Sequence, residues 1–441
     1  MNGASRVEGG GTMNSVEELE SSTEHARMVD AEFDIHAVLH ARSMLSHFQP
    51  IISIREKKVM GLEALVRATN PGSGKPISAS YLFDAAVRHK QSRHLDRLCR
   101  ESAISGFVKL ANLDPDLLLF INVDVSSLSR STAESDALIR LTEEHGIPPE
   151  RVVIEIIESK IDDAAALKHF VANHRQHGFL IALDDMGAGH SNLERITSIK
   201  PDIIKLDRSL IQNIDREYHK QELFDFFIKL AHRIGVFVVV EGIETEGEAL
   251  TCLERGADLV QGYYFAHPQP AARRCLDSGL DYASRLRAVL TDHLVKRFTQ
   301  RKLMYKQFND IASRITAVIE MSDPSSYETM LEHALKRFPL AECAYVIHES
   351  GRQLTRTVFN PGCVQRRRTP LFGPAPAGGN HSAKDYFMYV GKNQRHYVTR
   401  PYVSVATGNV CITISNRVSL SSSETCVVCV DIHLSDDLVV L

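Results

Sequence analysis

Between residues 48 and 265, short apolar runs alternate with longer amphipathic segments. The runs lie at 48–54, 62–68, 117–123, 152–157, 179–183, 202–206, 237–240 and 259–265. Several are apolar almost throughout, the pattern of parallel strands buried on both faces. The segments between them read as helices; 225–233, for example, stops just ahead of Gly235. This alternation predicts an α/β fold, either a (β/α)8 TIM-type barrel or a doubly wound sheet. The strand ends favour the barrel. Asn122, Glu155, Asp184 with Asp185, Lys205, Glu241 and Gln261 each fall at or beside the end of an apolar run. In a barrel the C-terminal strand ends meet on one face, where active sites sit. A burying strand does not hold a carboxylate unless something compensates it.

The pattern changes downstream. Residues 280–323 contain no Gly or Pro, and Leu286, Leu290, Leu294, Phe298, Tyr305, Phe308, Ile311, Ile315 and Val318 recur mostly at helical spacings. This predicts a long linking helix, either packed on the barrel's exterior or acting as a lever or dimer helix. After Pro324 the chain reads as a helix at 327–338, then short β-like runs at 343–347, 385–390, 403–406, 410–415 and 426–432. The expectation is a smaller α+β domain with a mainly antiparallel sheet. The domain reading is therefore a disordered tail at 1–30, a barrel at 31–279, the linking helix at 280–323 and the smaller domain at 324–441.

Composition adds exclusions. With 44% hydrophobic and 24% charged residues and a net charge of -4, the 441-residue chain is an ordinary globular one. Nothing in that balance suggests nucleic-acid binding, and the Arg366–Arg368 run reads as a solvated loop. No apolar run approaches membrane-spanning length, so no membrane insertion is expected. The N-terminus lacks a signal-peptide pattern, and the eight cysteines are scattered, which together point to the cytoplasm. Cys426 and Cys429 form a C-x-x-C within a strand-like run, where they face opposite ways and suit packing better than metal ligation.

The chemistry lies in the barrel. Glu63, Glu155, Asp184, Asp185 and Glu241, with Asn122 and Lys205, make an oxygen-rich set suited to Mg2+ or Mn2+, and no His or Cys spacing favours zinc. One or two such ions would relieve the repulsion, polarise a phosphoryl oxygen and lower the pKa of a bound water. Phosphoester hydrolysis fits this set, with enolase-like and aldolase-like barrels left open by spacing alone.

The same residues resemble the EAL family. Gly61-Leu62-Glu63-Ala64-Leu65-Val66-Arg67 contains its signature tripeptide, and Asp184-Asp185-Met186-Gly187-Ala188-Gly189-His190-Ser191 is similar to its acidic loop. Phe48-Gln49-Pro50-Ile51, Lys205-Leu206-Asp207, Glu241-Gly242-Ile243-Glu244-Thr245 and Gln261-Gly262-Tyr263-Tyr264-Phe265 follow in family order. The resemblance implies a metal-dependent phosphodiesterase that opens cyclic di-GMP to linear 5'-pGpG. It implies that Glu63, Asn122, Glu155 and Asp184 hold a first ion, and that Asp184, Asp185 and Glu241 serve a second. Lys205 would orient the attacking water, with Glu241 as candidate base. Gln49, Leu65, Arg67 and Gln261 would face substrate. Glu158, through Ser191, would brace the metal loop; Asp207 would support Lys205, and Glu244 would steady the following helix. Three positions depart from the family's usual pattern: Met186, Asp124 and Ala68. Members that have lost catalysis bind only, so a non-catalytic cyclic di-GMP receptor is the alternative. The C-terminal run resembles PAS-like or Cache-like sensory domains, which implies an unknown small-molecule ligand, with Tyr386, Arg400, Tyr402 and Asp431 as pocket candidates against a reading as ordinary sheet residues. A homodimer is expected.

Overall fold

The computed structural model describes residues 33–124, 132–157, 164–188, 193–363, 373–392, 394–419 and 424–434. The tail expected to be disordered, the Arg366–Arg368 run, Glu158 and Ser191 lie outside the described residues. The chain forms two compact units, the first running to Leu290 without Asp215–His219, the second made of Asp215–His219 and Thr291–Leu441.

Eight strands close the barrel of the first unit: β1 (Met44–Ser53), β2 (Lys58–Thr69), β3 (Leu118–Asn122), β4 (Val152–Ile157), β5 (Leu180–Met186), β6 (Ile203–Leu206), β7 (Phe237–Val240) and β8 (Leu259–Val260). From β2 round to β8 every neighbour is parallel, whereas β1 runs antiparallel to both β2 and β8. The barrel is therefore not uniformly parallel, its first strand being reversed. Only a tight turn joins β1 to β2, and a parallel pair would need a crossover of a dozen or more residues. The run at 259–265 is strand only at Leu259–Val260, after which the chain hooks away.

Two apolar layers hold the barrel together. The outer one lies between the strands and the surrounding helices and includes Phe48, Phe107, Ile154, Phe179, Val238 and Phe224. The inner one fills the barrel itself: Ile51, Phe120, Val153, Ala182, Ile203, Val239 and Leu259. Gly61 leaves room for the Phe120 ring, since a Cβ there would lie 2.5 Å from it. This inner plug fixes where polar chemistry begins, because side chains on a strand return to the same face every second residue.

In the second unit, β9 (Ala341–His348), β10 (Val358–Phe359), β11 (His396–Val398), β12 (Tyr402–Val403), β13 (Val410–Ser419) and β14 (Thr425–His433) form an antiparallel sheet in the order β10-β9-β14-β13-β11, with β12 on β13. One face, with Ala344, Val346, Val428 and Ile414, packs on Ile311, Ile315 and Ile319 of the helix Arg274–Glu320 and on Leu331 and Leu335 of the helix Tyr327–Leu335. The other face, with Tyr345, Ile347, Val427 and Cys429, lies under Phe387 and Val390. Cys426 and Cys429 do face opposite ways, one in each cluster. The segment read as a β-like run at 385–390 is instead the helix Asp385–Lys392. Its aromatic and β-branched residues favour strand in isolation, but Phe387 and Val390 bury against the sheet at helical spacing, and packing overrides that preference. Among the described residues no helix is long and apolar enough to cross a membrane.

Candidate active site in the barrel

Two residues beyond the inner plug, toward the C-terminal ends of β2–β8, the same inward-facing positions turn polar. Gly61 is followed by Glu63, Phe120 by Asn122, Val153 by Glu155, Ala182 by Asp184, Ile203 by Lys205, Val239 by Glu241 and Leu259 by Gln261. On the antiparallel β1, Gln49 takes the matching place and pairs in register with Glu63. One strand period therefore assembles the whole set.

Lys205 is fully buried at its centre. Its Nζ lies 2.5 Å from Glu155 Oε1, 3.5 Å from Asp184 Oδ1 and 3.6 Å from Glu63 Oε2, and it also contacts Glu241 Oε1. Asn122 Nδ2 donates to Glu155 Oε2 at 2.9 Å and to Glu63 Oε1 at 3.3 Å. Gln261 Nε2 donates to Glu63 Oε2 at 2.6 Å and to Gln49 Oε1 at 3.2 Å, while Gln49 Nε2 is anchored on the Ala266 carbonyl at 2.9 Å. Glu241 stands nearest the opening, its side chain 20% exposed.

Negative charge is in surplus. Burial raises the pKa of Glu155 well above the carboxylate range, against the pull of Lys205, and the charges of Glu63, Asp184 and Glu241 add to it. Burial raises Glu241 in the same way, against Lys205, with Asp184 and Glu63 adding. For Lys205 burial acts downward, but Asp184, Glu155, Glu241 and Glu63 outweigh it and hold the ammonium well above the usual lysine range. A divalent cation fits this donor set. Among the described residues, Glu63, Glu155 and Glu241 each offer a carboxylate oxygen, and these oxygens lie within 4.8 Å of one another. Gln261 Oε1 is buried without a hydrogen-bond partner. All-oxygen donors of this kind suit hard cations.

The other expected site residues sit farther out. Asp185 adopts φ 58° and donates its amide to Asp184 Oδ1 at 2.9 Å. Leu65 and Arg67 share the inward face of β2 with Glu63, and the Arg67 guanidinium donates to the Val66 carbonyl at 2.8 Å. Asp207 caps the short helix Arg208–Ile211, accepting from the Ser209 amide at 2.8 Å. Glu244 pairs with Arg208 at 2.9 Å. The helix after it, Glu246–Glu254, is capped by Thr245 in a capping box with Glu248.

Two positioning residues escaped the sequence reading. Glu248 Oε2 accepts the Glu244 and Thr245 amides at 3.0 Å each, and its Oε1 accepts the Asn213 amide at 3.0 Å, which ties down the loop after Glu241. Its T-x-x-E spacing from Thr245 was the available signal. Asp96, in the helix Ser92–Ala111, accepts the Asp124 amide at 3.2 Å while paired with Arg100 at 2.6 Å, and so holds the chain just past Asn122. No local motif marks that long-range contact. The departure at Met186 is absorbed into the core, where its side chain is buried.

Gly262 sets the hook after β8. Ile243 donates its amide to the Gln261 carbonyl at 3.1 Å, and Tyr264 donates to the Ile243 carbonyl at 3.0 Å. A Cβ on Gly262 would lie 2.1 Å from the Ile243 carbonyl oxygen, a backbone atom that cannot turn aside. Gly262→Ala is expected to cost about 2 kcal/mol or more, read from urea unfolding midpoints.

Fold and site together define a class of barrel proteins with an acidic, cation-seeking pocket at the C-terminal face. Residues 34–268 match the EAL domain, and the chain belongs to the EAL family. YkuI of Bacillus subtilis (strain 168), an uncharacterized EAL-domain containing protein, is 25% identical over 384 residues, 84% of this chain and 91% of YkuI. RocR of Pseudomonas aeruginosa, a cyclic di-GMP phosphodiesterase, is 32% identical over 231 residues, 51% of this chain and 57% of RocR. The chain thus spans nearly all of YkuI but little more than half of RocR. The crystal structure of YkuI, in complex with substrate c-di-GMP and calcium, matches with a TM-score of 0.73 and 24% identity, covering 92% of this chain and 100% of that one. That likeness extends the shared fold over both units.

Proposed function

We propose that the barrel hydrolyses one phosphodiester of cyclic di-GMP, giving linear 5'-pGpG, with one or two Mg2+ or Mn2+ ions. The observation that supports this best is the convergence of four carboxylates on the buried ammonium of Lys205, with Asn122 and Gln261 donating to two of those carboxylates. The relationship to RocR, a cyclic di-GMP phosphodiesterase, adds the substrate. In this reading Glu63, Asn122, Glu155 and Asp184 hold a first ion, and Asp184, Asp185 and Glu241 a second. Bound there, such ions would supply charge neutralisation at the phosphate and a more acidic water. Lys205, bridging Glu155 and Glu241, orients the incoming water, and Glu241 at the opening takes its proton. The water oxygen joins phosphorus, the P–O bond to one ribose breaks, and that ribose oxygen ends protonated. Gln49 and Gln261 set the position of Glu63, with Leu65 and Arg67 along the same strand facing substrate.

The second unit then serves as a small-ligand sensor, and the chain works as a homodimer in the cytoplasm, in keeping with eight unbridged cysteines. The deciding experiment is a turnover assay on cyclic di-GMP in Mg2+ and in Mn2+, with products separated by chromatography and Glu241→Ala as control. Linear pGpG from the parent protein, and at most traces from the variant, is the expected result. Tight binding with no product would replace the enzyme by a receptor.

A further inference from the structure

The second unit buries two carboxylates that form no ion pair among the described residues. Asp431, on β14, is 3% exposed, and Glu342 is 1% exposed. Glu342 is the extra residue of a bulge in β9, between Ala341, paired with Ile432, and Cys343, paired with Asp431. Bulges re-aim a side chain, and this one puts the acid beside Asp431 on the face away from the unit's main core. Asp431 Oδ1 accepts from Thr413 Oγ1 at 2.7 Å and Oδ2 from Cys343 Sγ at 3.4 Å. Glu342 Oε1 accepts from Cys363 Sγ at 3.2 Å and from Asn409 Nδ2. Its Oε2 is buried with no hydrogen-bond partner.

Aromatic rings stand around this pair. Tyr402 OH shares a hydrogen bond of 2.6 Å with Thr413 Oγ1, the group that bonds Asp431. Tyr345 is buried on the same face of β9 as Cys343, its ring 6.4 Å from that of Tyr386. Tyr386 is held by His381 Nδ1 at 2.8 Å, and His381 Nε2 by Gln353 Oε1 at 2.7 Å. Burial pushes Asp431 up to about 6, and the charge of Glu342 adds to that, while Thr413 and Cys343 pull the other way.

A sheet gains nothing from two acids buried without a counter-charge, since an unpaired carboxylate gives up its hydration with nothing to replace it. A metal ion does not suit the arrangement. Among the described residues the group whose ligand atoms draw within 4.8 Å of one another is the barrel's, not this one. Two acids whose oxygens meet only hydroxyl, thiol and carboxamide donors, with tyrosine rings near them, match an organic cation. We propose that this face of the second unit binds a small organic cation, an ammonium or guanidinium compound, through Asp431 and Glu342, with Tyr345, Tyr386 and Tyr402 flanking its charge.

The test uses the full chain in saturating Mg2+, so that the barrel pocket is filled. Agmatine, putrescine and L-arginine are titrated as cationic probes, with urea and succinate as neutral and anionic controls, following heat of binding and Tm. At least one cationic probe is expected to bind saturably and raise Tm. Asp431→Asn and Glu342→Gln should each weaken that binding by roughly tenfold or more, the loss of a charge-assisted hydrogen bond. Without probe, both variants should melt at or above the parent's Tm, because each removes an uncompensated buried charge. Three results would overturn the proposal: no saturable binding of any of the three cations, binding unchanged in both variants, or binding abolished by Glu63→Ala, which would place it in the barrel. A lower Tm of both variants without probe would also overturn it, by making the acids structural.

Discussion

Replacing Glu63 by alanine is expected to lower cyclic di-GMP turnover by at least about a thousandfold while the barrel stays folded. Glu63 is the shared acceptor of the site: Asn122 donates to its Oε1 at 3.3 Å and Gln261 to its Oε2 at 2.6 Å. Its removal leaves Asn122 with Glu155 and Gln261 with Gln49 as their remaining acceptors, and takes one oxygen from the group of three set within 4.8 Å. Cation affinity should fall with turnover, and calorimetric titration with Mn2+ reads it directly. The stability expectation runs the other way. In chelator the pocket has too much negative charge for one ammonium, so losing a carboxylate relieves repulsion, and the variant's urea midpoint should equal or exceed the parent's. A folded, cation-deficient, inactive variant agrees with the assigned role. Parent-like turnover, or a cation affinity left intact, would take Glu63 out of the site.

The site was legible because its logic is local. A strand apolar on both faces that ends in a carboxylate or a lysine stands out in any reading; four strand ends did so, at Glu155, Asp184, Lys205 and Glu241, and two more end in the carboxamides Asn122 and Gln261. The layer beneath them explains why: Phe120, Val153, Ala182, Ile203, Val239 and Leu259 plug the barrel, so the next inward residue is the first that can meet a solute. What stayed hidden depends on contacts between distant segments. The reversal of β1 follows from the turn into β2, where Lys57 takes φ 53° without the Gly or Asn that signals such a turn. Asp96 reaches Asp124 across 28 positions. The helix Asp385–Lys392 is written in residues that prefer strands, and only the sheet beneath it decides the matter. The pocket candidates of the second unit divided: Asp431 and Tyr402 meet at Thr413, and Tyr386 reaches the same face through His381, whereas no hydrogen bond or ion pair among the described residues links Arg400 to them. Glu342 gave no sequence signal at all, because a bulge re-aims it.

Lys205→Met is expected to lose about 3–5 kcal/mol of stability in chelator above neutral pH, and turnover by roughly a hundredfold or more, with a smaller change in ligand binding. Among the described residues the lysine is the cation that touches these four carboxylates, three of them buried, and a methionine of similar length removes its charge without opening a void. How much stability is lost depends on pH, and the sign follows from linkage. Glu155 and Glu241 titrate above their ordinary value of 4.5 when folded, so each binds its proton more tightly in the native state. Their contribution is fully present below that ordinary value and is lost as pH rises through the raised one. Without Lys205 the carboxylates rise further, so the variant should approach the parent's stability near pH 5 and fall well below it by about pH 8. Mn2+ should restore much of the difference, since a divalent cation in the same pocket takes over the neutralisation, but it should not restore turnover, because the group that orients the water is gone. Urea midpoints at the two pH values, with chelator and with Mn2+, separate the electrostatic role from the chemical one, and single-turnover rates measure the second. Equal midpoints in chelator at both pH values would mean that the carboxylates do not depend on the ammonium. Full turnover in Mn2+ would mean that the water is positioned by something else.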